Sequence, residues 1–363
     1  MTIKGVLMAG GKGTRLRPIT YAIPKPLVPI AGLPCIEYSL RSFHEASIDD
    51  VIITTGYKFE SLINGLIKQE RKGGQKVLFS VEREPAGTAG SVKIIENFLE
   101  DTFVVGSADV LADFNILNAL QNHKDSGNIA TIILTEVDDP TQFGIVETEN
   151  GKVTKFLEKP TRDQIFSNKV NSGIYILEPA VLRHIPEGIQ YDFGRDLFPK
   201  LLKEGIVINT YEGKGTWLDT GRPKELILAN DLIVSKYGRE IRKDSINGKM
   251  IMKEEPIGDN YKIEGNCYLG ENIKVGKNSN VRNCTIYENV VINENVTLED
   301  SIIFDGCSIG SESHVSKSVI MKNTNIGSKC IVSNSALSSN LNIQNGSRIY
   351  DVSLSSETTN NYD

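Results

Sequence analysis

The sequence has 363 residues and is poor in the features that mark several large classes of protein. No apolar run approaches the roughly 20 residues that a helix needs to cross a bilayer. The first residues lack the shape of a signal peptide, because Lys4 and Lys12 bracket an apolar run that is too short. We therefore expect a cytoplasmic protein that does not bind a membrane.

Excess positive charge is also absent. The net charge is −6 at pH 7, which leaves no basic field to attract nucleic acid or an anionic membrane. Any nucleotide is therefore expected in a local basic pocket. The content of 39% hydrophobic and 24% charged residues suits a soluble chain of two domains.

Cysteine is scarce, and its spacing excludes two uses. The five cysteines form no Cys-x-x-Cys pair and are odd in number, which argues against a zinc site and against a disulfide framework. We expect all five to be small buried hydrophobic side chains. They are Cys35, Cys267, Cys284, Cys307 and Cys330.

Two common phosphate-binding signatures are missing, the P-loop string and the dinucleotide fingerprint. Instead, a short apolar strand at residues 3–8 leads into a glycine-rich loop with two cations downstream (Gly10, Gly11, Gly13, Arg15 and Lys25). Glycines let backbone N–H groups approach phosphate oxygens closely, and the cations add charge. The loop therefore predicts a polyphosphate ligand.

Alternating patterns predict an α/β fold. Apolar β-branched runs at 51–55, 77–81, 103–105 and 131–134 are separated by helical spacing at 36–46, 91–99 and 116–123. This order indicates a mostly parallel sheet with helices on both faces, whose ligand lies at the carboxyl ends of the strands. The glycine loop and the turns at 82–90 and 106–109 should share that rim. Shorter strands are predicted at 144–147, 153–157, 173–177 and 207–211.

The string Gly10-Gly-x-Gly-Thr-Arg-Leu-x-Pro18, with Lys25-Pro26, resembles the signature of the sugar-1-phosphate nucleotidylyltransferases. These enzymes have a Rossmann-like core and make NDP-sugars from an NTP. Four further motifs stand in the family's order: Phe143-Gly144, Glu158-Lys159-Pro160, Asn171-Ser-Gly173 and Trp217-Leu-Asp-Thr-Gly221. The turn Glu84-Pro-x-Gly-Thr-Ala-Gly90 and the repeats near the C-terminus look most like the mannose-1-phosphate guanylyltransferases.

The resemblance implies a reaction and a set of site residues. The favoured substrates are GTP and mannose 1-phosphate, with thymidylyl or uridylyl transfer to a hexose 1-phosphate as the alternative. The implied nucleotide-binding residues are Ala9, Gly10, Gly11, Gly13, Thr14, Arg15, Lys25, Glu82, Pro85, Gly87, Thr88 and Asp109. The implied sugar-phosphate residues are Gly144, Glu158, Lys159, Asn171 and Gly173. The implied catalytic residues are Arg15, Lys25, Asp109, Lys159 and Asp219, with Mg²⁺ on Asp109 and Asp219.

Several of these residues also have an ordinary structural interpretation. An aspartate that follows a strand, such as Asp109, often caps a helix or closes a turn. Gly144 could be a turn glycine, Glu158 and Lys159 a surface ion pair, and Asn171 a strand-end cap. Two carboxylates suffice for Mg²⁺, because this ion shares its shell with phosphates and water.

Glu82 carries the prediction of the base. It occupies the place where uridylyl- and thymidylyltransferases of the family usually have a glutamine. A carboxylate accepts two hydrogen bonds side by side, which matches the adjacent N1–H and N2–H₂ donors of guanine. The alternatives are that Glu82 is merely solvated and that Glu84, or backbone groups near Gly87, read the base.

The last hundred residues contain a repeat in which aliphatic residues recur at one fixed separation. Three aliphatic rows, spaced 6, 6 and 5, predict a triangular solenoid of parallel strands that resembles hexapeptide-repeat left-handed β-helices. About five coils at roughly 4.8 Å each would span about 24 Å. The rows are Leu269, Ile286, Ile303, Ile320, Leu337, Leu354; Val275, Ile292, Ile309, Ile326, Ile343; and Val281, Leu298, Val315, Val332, Ile349. Cys267 and Cys284 should stack; the spacing permits a bridge, which a reducing compartment disfavours.

The predicted domains are a catalytic domain at 1–235, with a helix at 225–236, a linker at 236–260, the β-helix at 261–355 and a tail at 356–363. The β-helix is expected to drive homo-oligomer formation. Two other functions compete with nucleotidyl transfer. One is a non-catalytic subunit that senses NDP-sugar, which the presence of the five implied catalytic residues disfavours. The other is an acyltransferase site at His314, the single histidine of the repeats, which we instead expect at a solvated corner.

Overall fold

A computed structural model describes residues 3–67, 74–241, 249–251 and 260–355, without the side chains of 237–241 and 249–251. The chain divides into two compact units, Met1–Gly11 with Ile36–Leu218 and Lys12–Cys35 with Asp219–Asp363. This division differs from the predicted domains, since residues 12–35 and 219–235 belong to the second unit. The predicted tail at 356–363 lies outside the described residues.

Up to residue 241, strands and helices alternate along the chain. The strands are β1 Lys4–Met8, β2 Pro29–Ile30, β3 Leu33–Pro34, β4 Asp50–Thr55, β5 Lys76–Val81, β6 Phe103–Ser107, β7 Val110–Ala112, β8 Ala130–Glu136, β9 Gly144–Glu149, β10 Lys152–Glu158, β11 Lys169–Leu177, β12 Asn209–Glu212 and β13 Trp217–Asp219. The α-helices are α1 Ile19–Ala22, α2 Cys35–Glu45, α3 Phe59–Ile67, α4 Gly87–Ile94, α5 Ile116–Ser126, α6 Phe198–Lys203 and α7 Pro223–Ile241. Short 3-10 turns lie at Thr14–Leu16, Lys25–Leu27, Glu96–Phe98, Pro140–Gln142, Arg162–Gln164 and Pro179–His184, and a π turn at Phe193–Leu197.

The first unit is built on one sheet with the strand order β5-β4-β1-β6-β11-β8-β12-β10-β9. Strands β5, β4, β1 and β6 run parallel, as do β12 and β8. Strand β11 is antiparallel to both of its neighbours β6 and β8, and β10 is antiparallel to β12 and β9. The predicted α/β class is confirmed, with a sheet that is parallel on one side and mixed on the other.

The parallel half of this sheet brings three predicted loops to one edge. The carboxyl ends of parallel strands lie at the same edge, and here β1, β5 and β6 lead into Ala9, Glu82 and Ala108. Backbone hydrogen bonds join this edge: Ala9 N–H donates to Thr54 at 2.8 Å, Glu82 N–H to Thr55 at 2.7 Å and Ala108 N–H to Met8 at 3.0 Å. Apolar side chains of the strands and of α4 and α6 form a core of this unit.

Two predicted helices have different bounds, and the predicted linker is partly regular. The helix expected at 91–99 begins at Gly87 and ends at Ile94, with a 3-10 turn after it. Helix α7 extends to Ile241, and Lys249–Ile251 forms a strand antiparallel to Cys267–Leu269. The rest of the predicted linker, 242–248 and 252–259, lies outside the described residues.

The second unit contains the predicted triangular β-helix, in which three parallel sheets stack coil on coil. The first side consists of Cys267–Leu269, Thr285–Ile286, Ile302–Ile303, Val319–Ile320, Ala336–Leu337 and Ser353–Leu354. The second consists of Lys262–Glu264, Asn280–Arg282, Thr297–Glu299, His314–Ser316, Ile331–Ser333 and Arg348–Tyr350. The third consists of Lys274–Val275, Val291–Ile292, Ser308–Ile309, Asn325–Ile326 and Asn342–Ile343.

The predicted repeat is confirmed by the pairing register, since Leu269 faces Ile286 and Val281 faces Leu298. The chain turns each corner through a residue with positive φ, as at Asn272 and Asn289. Asparagine tolerates this conformation better than most residues because its short polar side chain bonds locally. Asn272 Nδ2 donates to the equivalent Asn289 Oδ1 of the next coil at 3.2 Å.

The cysteines behave as predicted. All five are buried, and none is in a disulfide. Cys267 and Cys284 stack in adjacent coils, with Cys284 N–H 3.5 Å from Cys267 Sγ. Burial raises the pKa of the Cys267 thiol to about 11, so this thiol stays protonated at neutral pH.

Candidate functional site

The glycine loop lies against Glu82 at the sheet edge of the first unit. A Cβ placed on Gly10 would be 3.6 Å from Glu82 Oε1, whereas one on Gly11 would have nothing within 4 Å. Glu82 is half-buried, and its Oε2 accepts the backbone N–H of Ala86 at 3.2 Å. Burial raises the pKa of Glu82, and the Ala86 hydrogen bond opposes this rise. Glu84, the alternative candidate for reading the base, is exposed.

The turn after Glu82 is fixed to residues 191–193. Gly87 has φ +77°, and a Cβ there would lie 2.6 Å from the Tyr191 carbonyl oxygen. That oxygen accepts the N–H groups of Ala89 and Gly90, both at 2.9 Å. Asp192 Oδ1 accepts the N–H and the hydroxyl of Thr88 at 2.9 and 3.1 Å. The first N–H groups of α4 are thus bound within the protein.

Asp109 lies in the turn between β6 and β7, so it does not cap a helix. Its Oδ1 accepts a short hydrogen bond from the hydroxyl of Ser107. A Cβ on Gly173 would be 3.8 Å from Ser107 Cβ. The structure thus brings Asp109 and the Asn171–Gly173 segment to the same part of the first unit.

Glu158 sits between two glycines. A Cβ on Gly144 would lie 2.7 Å from Glu158 Oε2, and one on Gly194 would lie 2.4 Å from the same atom. Burial raises the pKa of Glu158, and the charge of Lys159 opposes this rise. Lys159 Nζ is 3.7 Å from Glu158 Oε1, and the Lys159 side chain is 64% exposed. This lysine can therefore reach a ligand in solvent.

The amide of Asn171 has a fixed orientation. Its Oδ1 accepts Gly173 N–H at 2.9 Å, and its Nδ2 donates to the Tyr175 hydroxyl at 3.0 Å. Burial raises the pKa of Tyr175, so this hydroxyl stays neutral at ordinary pH. Trp217 Nε1 donates to Ser172 O at 2.9 Å, and the Trp217 ring meets Phe143 edge-on at 5.0 Å.

In the second unit, three predicted catalytic residues form one cluster. Arg15 Nη2 is 3.2 Å from Asp219 Oδ2, and Lys25 Nζ is 3.0 Å from Asp219 Oδ1. The lysine side chain is 7% exposed and the arginine 47%. The cluster places two cationic side chains at one carboxylate, and cations of this kind bind phosphate oxygens well. Gly13, with φ +62°, begins the turn that carries Arg15.

Three more predicted residues differ in exposure. Thr14 and Pro85 are exposed, and Ala9 is buried at the end of β1.

His314 does not lie at a solvated corner of the β-helix, so that expectation was wrong. This histidine begins the strand His314–Ser316 and is half-buried.

The segment after Ile189 also contacts the predicted site residues, although no sequence motif predicts it. Tyr191 and Asp192 contact the turn that opens α4, and Gly194 lies against Glu158. These residues carry no local pattern, because their partners are distant in sequence.

The predicted metal ligands, Asp109 and Asp219, suit a metal ion that takes most of its coordination shell from substrate and water. No group of three or more His, Cys, Asp or Glu side chains in the described part of the chain is placed to hold a metal. Asp109 and Asp219 each offer hard carboxylate oxygens, the kind of donor that Mg²⁺ prefers. The residue types therefore fit a Mg²⁺ ion that takes its other ligands from phosphate and water.

Profiles of known families cover most of the chain. Residues 4–236 match the profile described as nucleotidyl transferase. Residues 246–317 match the GMPPB C-terminal domain, and residues 294–354 match the GlmU-like C-terminal hexapeptide. No helix among the described residues is long and apolar enough to span a membrane.

Curated relatives share about a third of their residues with this chain. A mannose-1-phosphate guanyltransferase of Aspergillus oryzae is 32% identical over 76% of this chain and 74% of its own length. A mannose-1-phosphate guanyltransferase 2 of Candida glabrata is 33% identical over 70% and 71%. A UTP–glucose-1-phosphate uridylyltransferase of Synechocystis is 34% identical over 75% of each chain.

Solved structures match the core. A putative glucose-1-phosphate thymidylyltransferase of Bacillus anthracis has a TM-score of 0.58 at 27% identity, over 64% of this chain and 95% of that one. HddC of Yersinia pseudotuberculosis, solved with GMP-PN, has a TM-score of 0.56 at 27% identity, over 64% of this chain and all of that one.

Proposed function

Because the chain belongs to the nucleotidyl transferase family, we propose that it transfers a nucleotidyl group from an NTP to a hexose 1-phosphate. The favoured pair is GTP and mannose 1-phosphate, giving GDP-mannose and pyrophosphate. The observation that carries the proposal is the cluster of Arg15 and Lys25 on Asp219, which pairs cations that follow the glycines with the carboxylate of the Trp-Leu-Asp motif. The names of the relatives, guanyltransferase for some and uridylyltransferase for another, agree with this class of reaction.

The reaction needs no covalent enzyme intermediate. An oxygen of the sugar phosphate attacks the α-phosphorus of the NTP, the bond from that phosphorus to the bridging oxygen breaks, and pyrophosphate leaves. A phosphate dianion is already a nucleophile, so no general base is needed. The protein then acts by alignment and charge stabilisation. Arg15 and Lys25 hold the α-phosphate and the leaving pyrophosphate.

Enzymes of this family typically use a divalent metal, and we propose Mg²⁺ with Asp109 and Asp219 as its protein ligands. The ion would supply positive charge to the reacting phosphates. Ser107, which donates to Asp109, would orient one carboxylate, and Lys25 and Arg15 would orient the other.

Residues of the first unit would bind the sugar phosphate. Glu158, held between Gly144 and Gly194, is an acceptor for sugar hydroxyls. Asn171, whose amide is fixed by Gly173 and Tyr175, is the second polar contact. The exposed Lys159 would neutralise the 1-phosphate.

Glu82 would read the base. It is half-buried beside Gly10, whereas Glu84 is exposed, so desolvation favours Glu82 as the discriminating group. Ala86 N–H uses one lone pair of Oε2, and Oε1 with the remaining pair can take the two guanine donors. The structure of HddC with GMP-PN shows a relative of the same fold bound to a guanine nucleotide.

The base assignment is tested by comparing GTP with dTTP and UTP, using one sugar phosphate, in wild type, Glu82→Gln and Glu84→Gln. We expect a wild-type preference for GTP that falls at least about tenfold in Glu82→Gln and stays unchanged in Glu84→Gln. A wild-type preference for dTTP, or an unchanged ratio in Glu82→Gln, would contradict the assignment to guanine.

The reaction itself is tested by pyrophosphate release from a panel of NTPs and hexose 1-phosphates, run with and without acetyl-CoA. Release that needs both substrates is expected. Binding of NDP-sugar without release would indicate a sensing subunit, and consumption of acetyl-CoA would indicate acyl transfer.

We also propose that the β-helix drives self-association, because its flat sides offer strand surface for packing. Light scattering on the full chain measures the mass per particle. A particle of 40.0 kDa, the mass of one chain, would contradict this role.

A further inference from the structure

One contact from the β-helix reaches the segment that follows Lys25. The Tyr287 hydroxyl donates to the carbonyl of Pro29, in β2, at 3.1 Å. Tyr287 is 4% exposed. Its ring stands between the rings of Tyr268 and Phe304, with centroid distances of 5.5 and 5.0 Å. The neighbouring rings restrict this ring, so its hydroxyl is held at a defined height along the β-helix.

Strands β2 and β3 pair antiparallel and form a hairpin, and a second contact from the β-helix reaches this hairpin through α7. Asn230 Oδ1 accepts the backbone N–H of Ala31 at 2.7 Å and the hydroxyl of Thr285 at 3.2 Å. Asn230 Nδ2 donates to Leu226 O at 2.8 Å, which fixes the orientation of the amide. Ala31 has φ +45°, a conformation that is unfavourable for alanine and therefore needs surrounding contacts to hold it.

The hairpin and α7 are each joined to the cluster of Arg15, Lys25 and Asp219 by a short stretch of chain. Between Lys25 and the hairpin, Val28 N–H donates to Lys25 O at 3.1 Å, and Cys35 N–H donates to Val28 O at 3.0 Å. On the other side, α7 begins at Pro223, four residues after Asp219. Lys25 and Asp219 are themselves joined at 3.0 Å. A shift of the β-helix would therefore be passed to both charged side chains.

We propose that Thr285 and Tyr287 of the β-helix are positioning residues for Lys25 and Asp219. They hold the hairpin β2–β3 and the start of α7 at a fixed separation, and these two elements set where the lysine ammonium meets the carboxylate. The β-helix thus contributes to phosphate alignment as well as to assembly. The reaction that this positioning serves rests on the proposed function. The coupling of the β-helix to Lys25 and Asp219 rests on the contacts alone.

The kinetic test removes both hydroxyls and keeps the shapes, in the double variant Thr285→Val with Tyr287→Phe. The matched control, Thr297→Val with Tyr350→Phe, makes the same changes elsewhere on the β-helix. We expect kcat/KM for the NTP to fall about tenfold in the double variant, with KM for the hexose 1-phosphate within about twofold and the chain still folded at the assay temperature. Thr285→Ser in the Tyr287→Phe background should recover most of the loss.

A second readout does not depend on turnover. Cys35, which ends the hairpin segment, is fully buried, and so is Cys330 in a later coil. In the double variant a thiol reagent should label Cys35 faster than in wild type, with Cys330 unchanged as the internal control. If wild type releases no pyrophosphate with any substrate pair, the proposed function fails and Cys35 labelling alone decides the coupling. Kinetics and labelling that match the control would overturn the inference, as would a fall in Tm with equal changes in KM for both substrates.

Discussion

The Asp219 carboxylate binds two cationic side chains at once. Its two oxygens contact different cations, and its side chain is 16% exposed. Partial burial strengthens such charge-assisted contacts because the local dielectric is lower than in water. A carboxylate held in this way is oriented before any ligand arrives, which is what alignment of a phosphoryl group requires.

We predict that Asp109→Asn and Asp219→Asn each lower kcat by at least about a hundredfold, because an amide is a poor ligand for Mg²⁺ although its shape is the same. Pyrophosphate release measures the loss, and circular dichroism checks the fold. The exposed Asp138→Asn is the control. Activity within a few-fold of wild type in either site variant would show that the carboxylate serves only the local structure.

Glu158 gives a prediction with a defined pH dependence. Because burial raises its pKa in the folded state, its stabilising contribution is present below the unfolded-state pKa of about 4.3 and is lost as the pH rises through the folded-state pKa. Glu158→Gln should therefore raise Tm relative to wild type more at neutral pH than near about pH 4, while lowering activity. The exposed Glu149→Gln is the control for the same change at a surface position. A difference in Tm that does not vary with pH would contradict the role of burial.

At the scale of elements, the turn that opens α4 is fixed to residues 191–193. Tyr191 N–H donates to Ala86 O at 2.8 Å and its carbonyl accepts from the helix, while Thr88 Oγ1 accepts Phe193 N–H at 2.9 Å. One residue further, Gly194 leaves room for Glu158. The segment 191–194 therefore touches both the turn next to Glu82 and the proposed sugar contact, so movement of one should affect the other.

Two glycines of the same conformation separate the effect of close approach from that of backbone strain. Gly87 and Gly74 have φ of +77° and +76°, but a Cβ at Gly87 meets the Tyr191 backbone, while one at Gly74 meets nothing within 4 Å. Gly74→Ala should cost about 1 kcal/mol, and Gly87→Ala about 2 kcal/mol more. Urea unfolding measures both. Equal costs would show that the Tyr191 contact yields without strain.

The elements were more predictable than their contacts. The rows through Leu269, Val275 and Val281 could be read from sequence because each coil repeats the same three burial positions. The glycine loop could be predicted from sequence because a backbone that approaches a ligand closely requires glycines at neighbouring positions. Tyr287 could not be found in this way, since a hydrogen bond to a backbone group more than a hundred residues away leaves no spacing pattern. His314 was misplaced because corner and strand positions differ by only a residue or two.

At the scale of the whole molecule, the two units depend on different structural principles. The first has a nine-stranded mixed sheet with a large core, and most of its strands pair with two neighbours. The β-helix of the second has a narrow core in which each coil touches mainly the coils above and below. Neither relies on a disulfide, since all five cysteines are buried in the thiol form.

We therefore predict that Tm of the full chain is the same with and without a reductant. Burial raises the pKa of Cys267 to about 11 and that of Cys307 to about 12, so neither thiol forms much of the reactive thiolate at neutral pH. Scanning calorimetry under both conditions is the measurement. A Tm that falls when reductant is added would indicate a cross-link that stabilises the fold.

The fixed length of each coil also limits how the chain can change in length. Inserting a single residue would turn the following inward row toward solvent, whereas inserting or deleting one whole coil would restore every row and every corner. Each added coil would lengthen the β-helix by roughly 4.8 Å. Coils added beyond Phe304 would leave the contacts of Thr285 and Tyr287 in place, so the far end of this β-helix can grow or shrink in whole coils while the end next to the hairpin cannot.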